Sequence, residues 1–191
     1  MKLKHLLAGM VVTAAASFGM SGTASAAAVL CQDTSRNHMG ISDSLVGACL
    51  DAGVGNLTGN ASNDLFLTGV GTDYELASKS DEANPYHIQY TQAGASGTFS
   101  FDASIWDAFS SVAIGFKFGT GNKPDEWFVY SLDSLVSSGN WQFFNVFGRG
   151  GGLSHVNLYG IEGSNKVPEP RTLALFAVAL SGIAVVRRRR A

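Results

Sequence analysis

Chemistry in this chain, if it has any, must come from few residues. Cys31 and Cys49 are the only cysteines. In a chain that leaves the cytoplasm, an even pair reads as a disulfide, and closing the loop between them contributes about 3 kcal/mol in the chain-entropy picture. Neither thiol has a Cys or His partner at ligand spacing, so no metal is expected there. His38, His87 and His155 are scattered, with no His-Glu-x-x-His pattern. Ser154 and His155 are adjacent in a run that alternates like a strand. Their side chains therefore point to opposite faces and make no local nucleophile–base pair. His155, Asn157 and Tyr159 share one face and form a candidate polar patch, for which a structural role is the simpler reading.

The other motifs are weaker. Gly148-Arg149-Gly150-Gly151-Gly152 lacks the Lys-Ser/Thr of a phosphate loop, and the residues after it read as a strand rather than a helix. Asp81-Glu82 and Asp125-Glu126 offer oxygens to a hard cation, but the spacing of a calcium loop is missing, and solvated loop charges are the plainer account. Neither metal nor cofactor is expected. Paired carboxylates of a glycosidase are a spatial property, and no pair stands out. Trp106, Trp127 and Trp141 suit a core, although exposed aromatics also stack on sugar rings. Asn56-Leu57-Thr58 and Asn60-Ala61-Ser62 match glycosylation sequons and read as chance turn residues. No catalytic constellation emerges, so the expectation is a non-enzymatic protein. The alternative is a secreted hydrolase acting on extracellular polysaccharide through dispersed acids or His155.

The elements that hold these residues read as strands. Val112, Ile114, Phe116 and Phe118 alternate with Ala113, Gly115, Lys117 and Gly119, a period of two. Tyr86–Thr91, Thr98–Asp102 and His155–Tyr159 alternate in the same way. Glu126–Leu132 and Trp141–Phe147 are aromatic-rich runs of the kind buried on both faces or in a sandwich core. Turn-forming clusters punctuate them at Gln92–Gly94, Gly119–Pro124, Ser137–Asn140 and Gly148–Gly152. Asp43–Leu50 and Ala103–Phe109 are expected to be short helices. With 23 glycines and only 15% charged residues, the predicted fold is all-β: one antiparallel β-sandwich, jelly-roll-like, over 27–163.

Charge is segregated along the chain. Residues 27–167 hold 14 Asp and Glu against six Lys and Arg, a balance of about −8, although the whole chain carries −2. Such a surface repels phosphate backbones, so nucleic acid is excluded as a partner. The positive charge sits at the ends. Lys2, Lys4 and His5 precede an apolar stretch from Leu6 to about Met20, and Ala24-Ser25-Ala26 fits a signal-peptidase site, so 1–26 read as a removable signal peptide. At the other end, a linker over 164–171 contains Pro168-Glu169-Pro170. An apolar segment over 172–186 is expected to be a single hydrophobic helix, and 187–191 form a basic tail. The apolar core Leu173–Val186 would span about 21 Å as a helix, short of the roughly 30 Å hydrocarbon layer. Arg187, Arg188, Arg189 and Arg190 stay cytoplasmic by the positive-inside rule. The result is a marginal anchor with an outward-facing domain.

The order Pro-Glu-Pro, short apolar helix and arginine cluster resembles the PEP-CTERM sorting signal of Gram-negative bacteria. The resemblance implies recognition by an exosortase, a membrane-embedded cysteine peptidase-like transpeptidase. It assigns Pro168, Glu169 and Pro170 to the sorting motif and Arg187–Arg190 to the stop signal. It also implies two processing partners, signal peptidase and exosortase, with transient residence in the inner membrane. The final location would be the cell envelope or an exopolysaccharide-rich extracellular matrix, as in a biofilm. Residues 31–163 more loosely resemble a globular type that recurs upstream of such tails. The cues are the early Cys31 and Cys49 pair, Lys79-Ser80-Asp81, Ile114–Lys117, Gly139-Asn140-Trp141 and Leu153–Tyr159. That resemblance implies a fold and a location, not a reaction.

Overall fold

The computed structural model describes residues 27–32, 34–119, 125–147 and 151–163. The expected signal peptide (1–26), linker (164–171), hydrophobic helix (172–186) and basic tail (187–191) lie outside the described residues. Among the described residues, ten strands form: β1 (Ala28–Cys31), β2 (His38–Ser42), β3 (Val46–Val54), β4 (Glu75–Lys79), β5 (Gln89–Ala93), β6 (Ser96–Ser100), β7 (Phe109–Gly119), β8 (Glu126–Leu132), β9 (Ser138–Phe144) and β10 (Gly152–Glu162). One helical turn, α1 (Ile105–Ala108), precedes β7. The strands make two sheets, one ordered β1-β2-β9-β6-β5 and the other β3-β8-β7-β10-β4, with every pairing antiparallel. The expected all-β class and the two-sheet arrangement are therefore present.

The inward positions of both sheets meet in one core. From the first sheet come Met39, Ile41, Phe99, Trp141 and Phe143; from the second, Ile114, Phe116, Phe118, Phe128 and Leu158. Phe118 stacks on Phe143 with centroids 4.5 Å apart and meets the edge of Trp141 at 5.5 Å. Such pairs add to the area they bury. Tyr130 donates its hydroxyl to the Met39 carbonyl at 2.6 Å, a polar tie between the sheets. Burial drives its pKa up. All three tryptophans are buried. Trp141 fits because Gly97 opposes it. A Cβ at Gly97 would sit 1.9 Å from the Thr91 carbonyl oxygen and 2.6 Å from the Trp141 ring.

The second sheet is covered on both sides. Its outward positions, including Ala113, Trp127, Val129 and Tyr159, are sealed by Leu57, Phe66 and Leu67 from the segment between β3 and β4. This explains why β8 is buried along almost its full length. The segment has no period, so its packing role could not be read from alternation.

Four local expectations change. The turn expected over Ser137–Asn140 is mostly strand: β9 begins at Ser138, with Asn140 paired to Thr98 of β6, and ends at Phe144 rather than Phe147. Asp43–Leu50 is not helical: 43–45 turn, and β3 begins at Val46, paired with Leu132 of β8. A run of eight residues containing Gly47 has little helical preference of its own, and the ladder to β8 decides its state. The strand around Tyr86–Tyr90 begins only at Gln89. Asn84 accepts from the Ile88 N–H and donates to the Ile88 carbonyl, a side-chain substitute for a strand partner that ends the ladder early. The helix around Trp106 shrinks to α1, pinned by the indole N–H of Trp106 donating to the Val136 carbonyl at 2.9 Å.

Candidate functional site

Cys31 and Cys49 are bonded, with Cα atoms 5.2 Å apart. The bridge joins β1, at the edge of the first sheet, to β3, at the edge of the second.

His155, Asn157 and Tyr159 do come together, on the outward face of β10, but they are sealed in rather than displayed. Their partner is a residue that no motif marks. Asp64 is fully buried beneath the covering segment. Its Oδ1 accepts from the backbone N–H groups of Phe66 and Leu67 at 3.0 and 3.1 Å. Its Oδ2 accepts from Gly59 N–H at 2.6 Å and from the Tyr159 hydroxyl at 3.0 Å. Asn157 donates to the Tyr159 oxygen at 2.9 Å and to the Leu57 carbonyl at 3.2 Å. His155 Nε2–H donates to the same carbonyl at 2.8 Å. The network clamps the covering segment onto the sheet. The one sequence signal for Asp64 was its place after Ser62-Asn63, where an Asp takes the N–H groups two and three residues on.

Electrostatics fit a structural clamp. Burial is the first cause of the lowered His155 pKa, outweighing the Leu57 bond and the nearby Asp81, while Lys79 and Lys117 push in the same direction as burial. Burial, then the Asp64 charge, drives the Tyr159 pKa up. These groups face Leu57, Asp64 and one another, except that His155 Nδ1 lies 3.8 Å from the exposed Asp81 carboxylate.

The acidic pairs are also taken up. Lys79 holds Asp81 and Glu82, and Lys117 holds Asp125. Glu126 accepts from the Asn37 side-chain amide at 2.7 Å. Its pKa is raised, chiefly by burial. Among the described residues no group of three or more His, Cys, Asp or Glu could hold a metal ion. Gly148–Gly150 of the glycine-rich loop lie outside the described residues.

A different surface stands out once the strands are in register: the outward face of the first sheet. One row across it reads Leu30, Gly40, Gln142, Ser96 and Ala93. The next reads Ala28, Ser42, Asn140, Thr98 and Thr91. A third, on β9, β6 and the edge strand β5, reads Ser138, Ser100 and Gln89, and His38 pairs with Phe144 at the opposite end. No Asp, Glu, Lys or Arg occupies any of these positions. Gly40 leaves a gap between the strands, with Leu30 and Phe144 leaning toward it. A groove of about 320 Å³ opens there, walled by Asn140, Gln142, Ser42 and Phe144. His38 stacks on Phe144 at 4.6 Å and fixes that ring.

Comparison with known proteins decides the C-terminus. Residues 166–190 match the family described as the PEP-CTERM protein-sorting motif. The chain carries that sorting motif. The PEP-CTERM motif marks an exported protein, made as a membrane-anchored precursor and processed by an exosortase. Pro168, Glu169, Pro170 and Arg187–Arg190 fall within the matched stretch. No curated protein and no solved structure matches the chain.

Proposed function

We propose that this is a non-enzymatic protein of the cell envelope or extracellular matrix of a Gram-negative bacterium, carried there by its PEP-CTERM tail and displaying a two-sheet, jelly-roll-like sandwich that contacts exopolysaccharide. The observation that carries the proposal is the sorting motif at 166–190. It comes directly after a folded domain whose last strand ends at Glu162. An N-terminal signal peptide over 1–26 fits the same route, because β1 begins two residues after its cleavage site. The non-enzymatic reading is supported by the way buried titratable groups are used. Asp64, Tyr159 and His155 hold a segment in place, and Lys79 and Lys117 neutralise neighbouring acids.

The test of the route is replacement of Pro168, Glu169 and Pro170 by alanine. The expected result is a full-length precursor retained in the inner membrane, read by intact mass and fractionation. Normal trimming and release of that variant would refute recognition through this motif.

A further inference from the structure

We infer that the uncharged outward face of the first sheet is a binding surface for a neutral polysaccharide, with the groove over Gly40 as its central subsite. The inference rests on the proposed matrix role and adds the place of contact and the chemical class of the ligand.

Residues 27–167 carry 14 acids and six bases, yet the solvent-facing side of five adjacent strands carries none. Free surfaces are normally rich in charge because charge keeps them soluble. Here hydroxyls and side-chain amides replace it. Those groups both donate and accept, as sugar hydroxyls do, and exchange hydrogen bonds with them without desolvating an ion. A polyanion would gain nothing from a face without cations and would be repelled by the acidic domain around it.

Geometry points the same way. The groove, about 320 Å³, lies within the range of small-ligand sites. Its wall combines the half-buried Phe144 ring, a surface for the apolar side of a sugar, with Asn140 and Gln142, which reach the hydroxyl rim. Thr91 and Thr98 share a hydrogen bond at 2.8 Å and extend the polar track toward the β5 edge. An open strip of this kind suits a polymer rather than a single compact molecule. A second copy of the chain fits less well, because two domains of about −8 repel and the apolar part of the face, Leu30, Ala28 and Phe144, is small against the area a stable dimer buries.

The experiment uses the full chain, expressed with its leader and tail in an exporting bacterium and recovered after export. Retardation is measured in native gels containing dextran, β-glucan, galactomannan, the polysaccharide fraction of the host matrix, or alginate. The expected result is retardation by at least one neutral polymer, none by alginate, and at least a tenfold weaker effect for the near-isosteric pair Asn140→Asp with Gln142→Glu. Should that pair not accumulate, Thr98→Glu, opposite Asn140 in the same row, carries the same expectation. Unchanged retardation in these variants would overturn the assigned face while leaving a glycan-contact role standing. Absence of retardation by every polymer would overturn both. A dimer of the parent that the charged pair dissociates would assign the face to self-association and overturn the inference.

Discussion

At the residue scale, the decisive side chain is Asp64. Four donors converge on one fully buried carboxylate, and its removal leaves them without a partner or water. Asp64→Ala is therefore expected to lower stability by about 3 kcal/mol, while Asp64→Asn, which keeps one acceptor oxygen, loses less. The check is the urea midpoint at constant slope; a loss under about 1 kcal/mol would mean that the clamp contributes little. His155 makes the same clamp sensitive to pH. Its folded pKa lies below the ordinary value of 6.5. The unfolded chain thus takes up a proton first as pH falls, and stability declines from about pH 6.5 down to the folded value. Above about pH 6.5 both states are neutral and His155 contributes no slope. One proton corresponds to at most about 1.4 kcal/mol per pH unit. His155→Gln should flatten that slope, read from denaturation at about pH 7 and about pH 5.5. Glu126, with its raised pKa, acts with the opposite sign at lower pH.

At the element scale, the disulfide and the Asn37–Glu126 contact do related work. The Cys31–Cys49 bridge ties an edge of one sheet to an edge of the other. Asn37 anchors the β1–β2 connection to β8 through Glu126 and to the chain after β9 through the Val146 N–H. β1 has only four residues and one strand partner, so it depends on such ties. Replacing both cysteines by alanine should cost about 3 kcal/mol, with exchange protection lost first at Val29 and Leu30. Uniform loss across both sheets would indicate a bridge that acts on the unfolded chain alone. How much of this was legible depends on periodicity. β7 and β10 announced themselves because large apolar residues alternate with small or polar ones, and β8 and the second half of β9 because they are aromatic-rich runs. β1–β4 did not, because they are short or rich in Gly, Ala and Ser and take their state from pairing. The covering segment held Leu57, Phe66 and Asp64 at irregular spacing, which no pattern links. The uncharged face was invisible for another reason. Its positions are scattered from Ala28 to Phe144, and only the register lines them up.

At the scale of the whole molecule, the sheet register places both ends of the domain at one pole. Ala28 pairs with Ser42 beside the β2–β3 turn, and Glu162 pairs with Phe109 where β7 begins. A precursor carrying both addressing segments would therefore hang from that pole, leaving the uncharged sheet face along its flank. Charge is arranged along the same axis. Asp43, Asp73, Glu75, Asp102, Asp107, Asp133 and Glu162 are all exposed near this end, whereas Arg36, Lys79 and Lys117 lie toward the other. Like charges gathered at one pole oppose compaction, and exposed charges are screened once salt shortens the Debye length below their spacing. Raising NaCl from about 10 mM to about 0.5 M should therefore raise the melting temperature of the exported domain by about 2–4 °C, a shift typical of a sub-kilocalorie change in a domain of this size. Asp133→Asn combined with Glu162→Gln should produce part of that gain at low salt and none at high salt, since both remove the same repulsion. A melting temperature that falls with salt would show instead that the ion pairs of Lys79 and Lys117 outweigh the acidic pole.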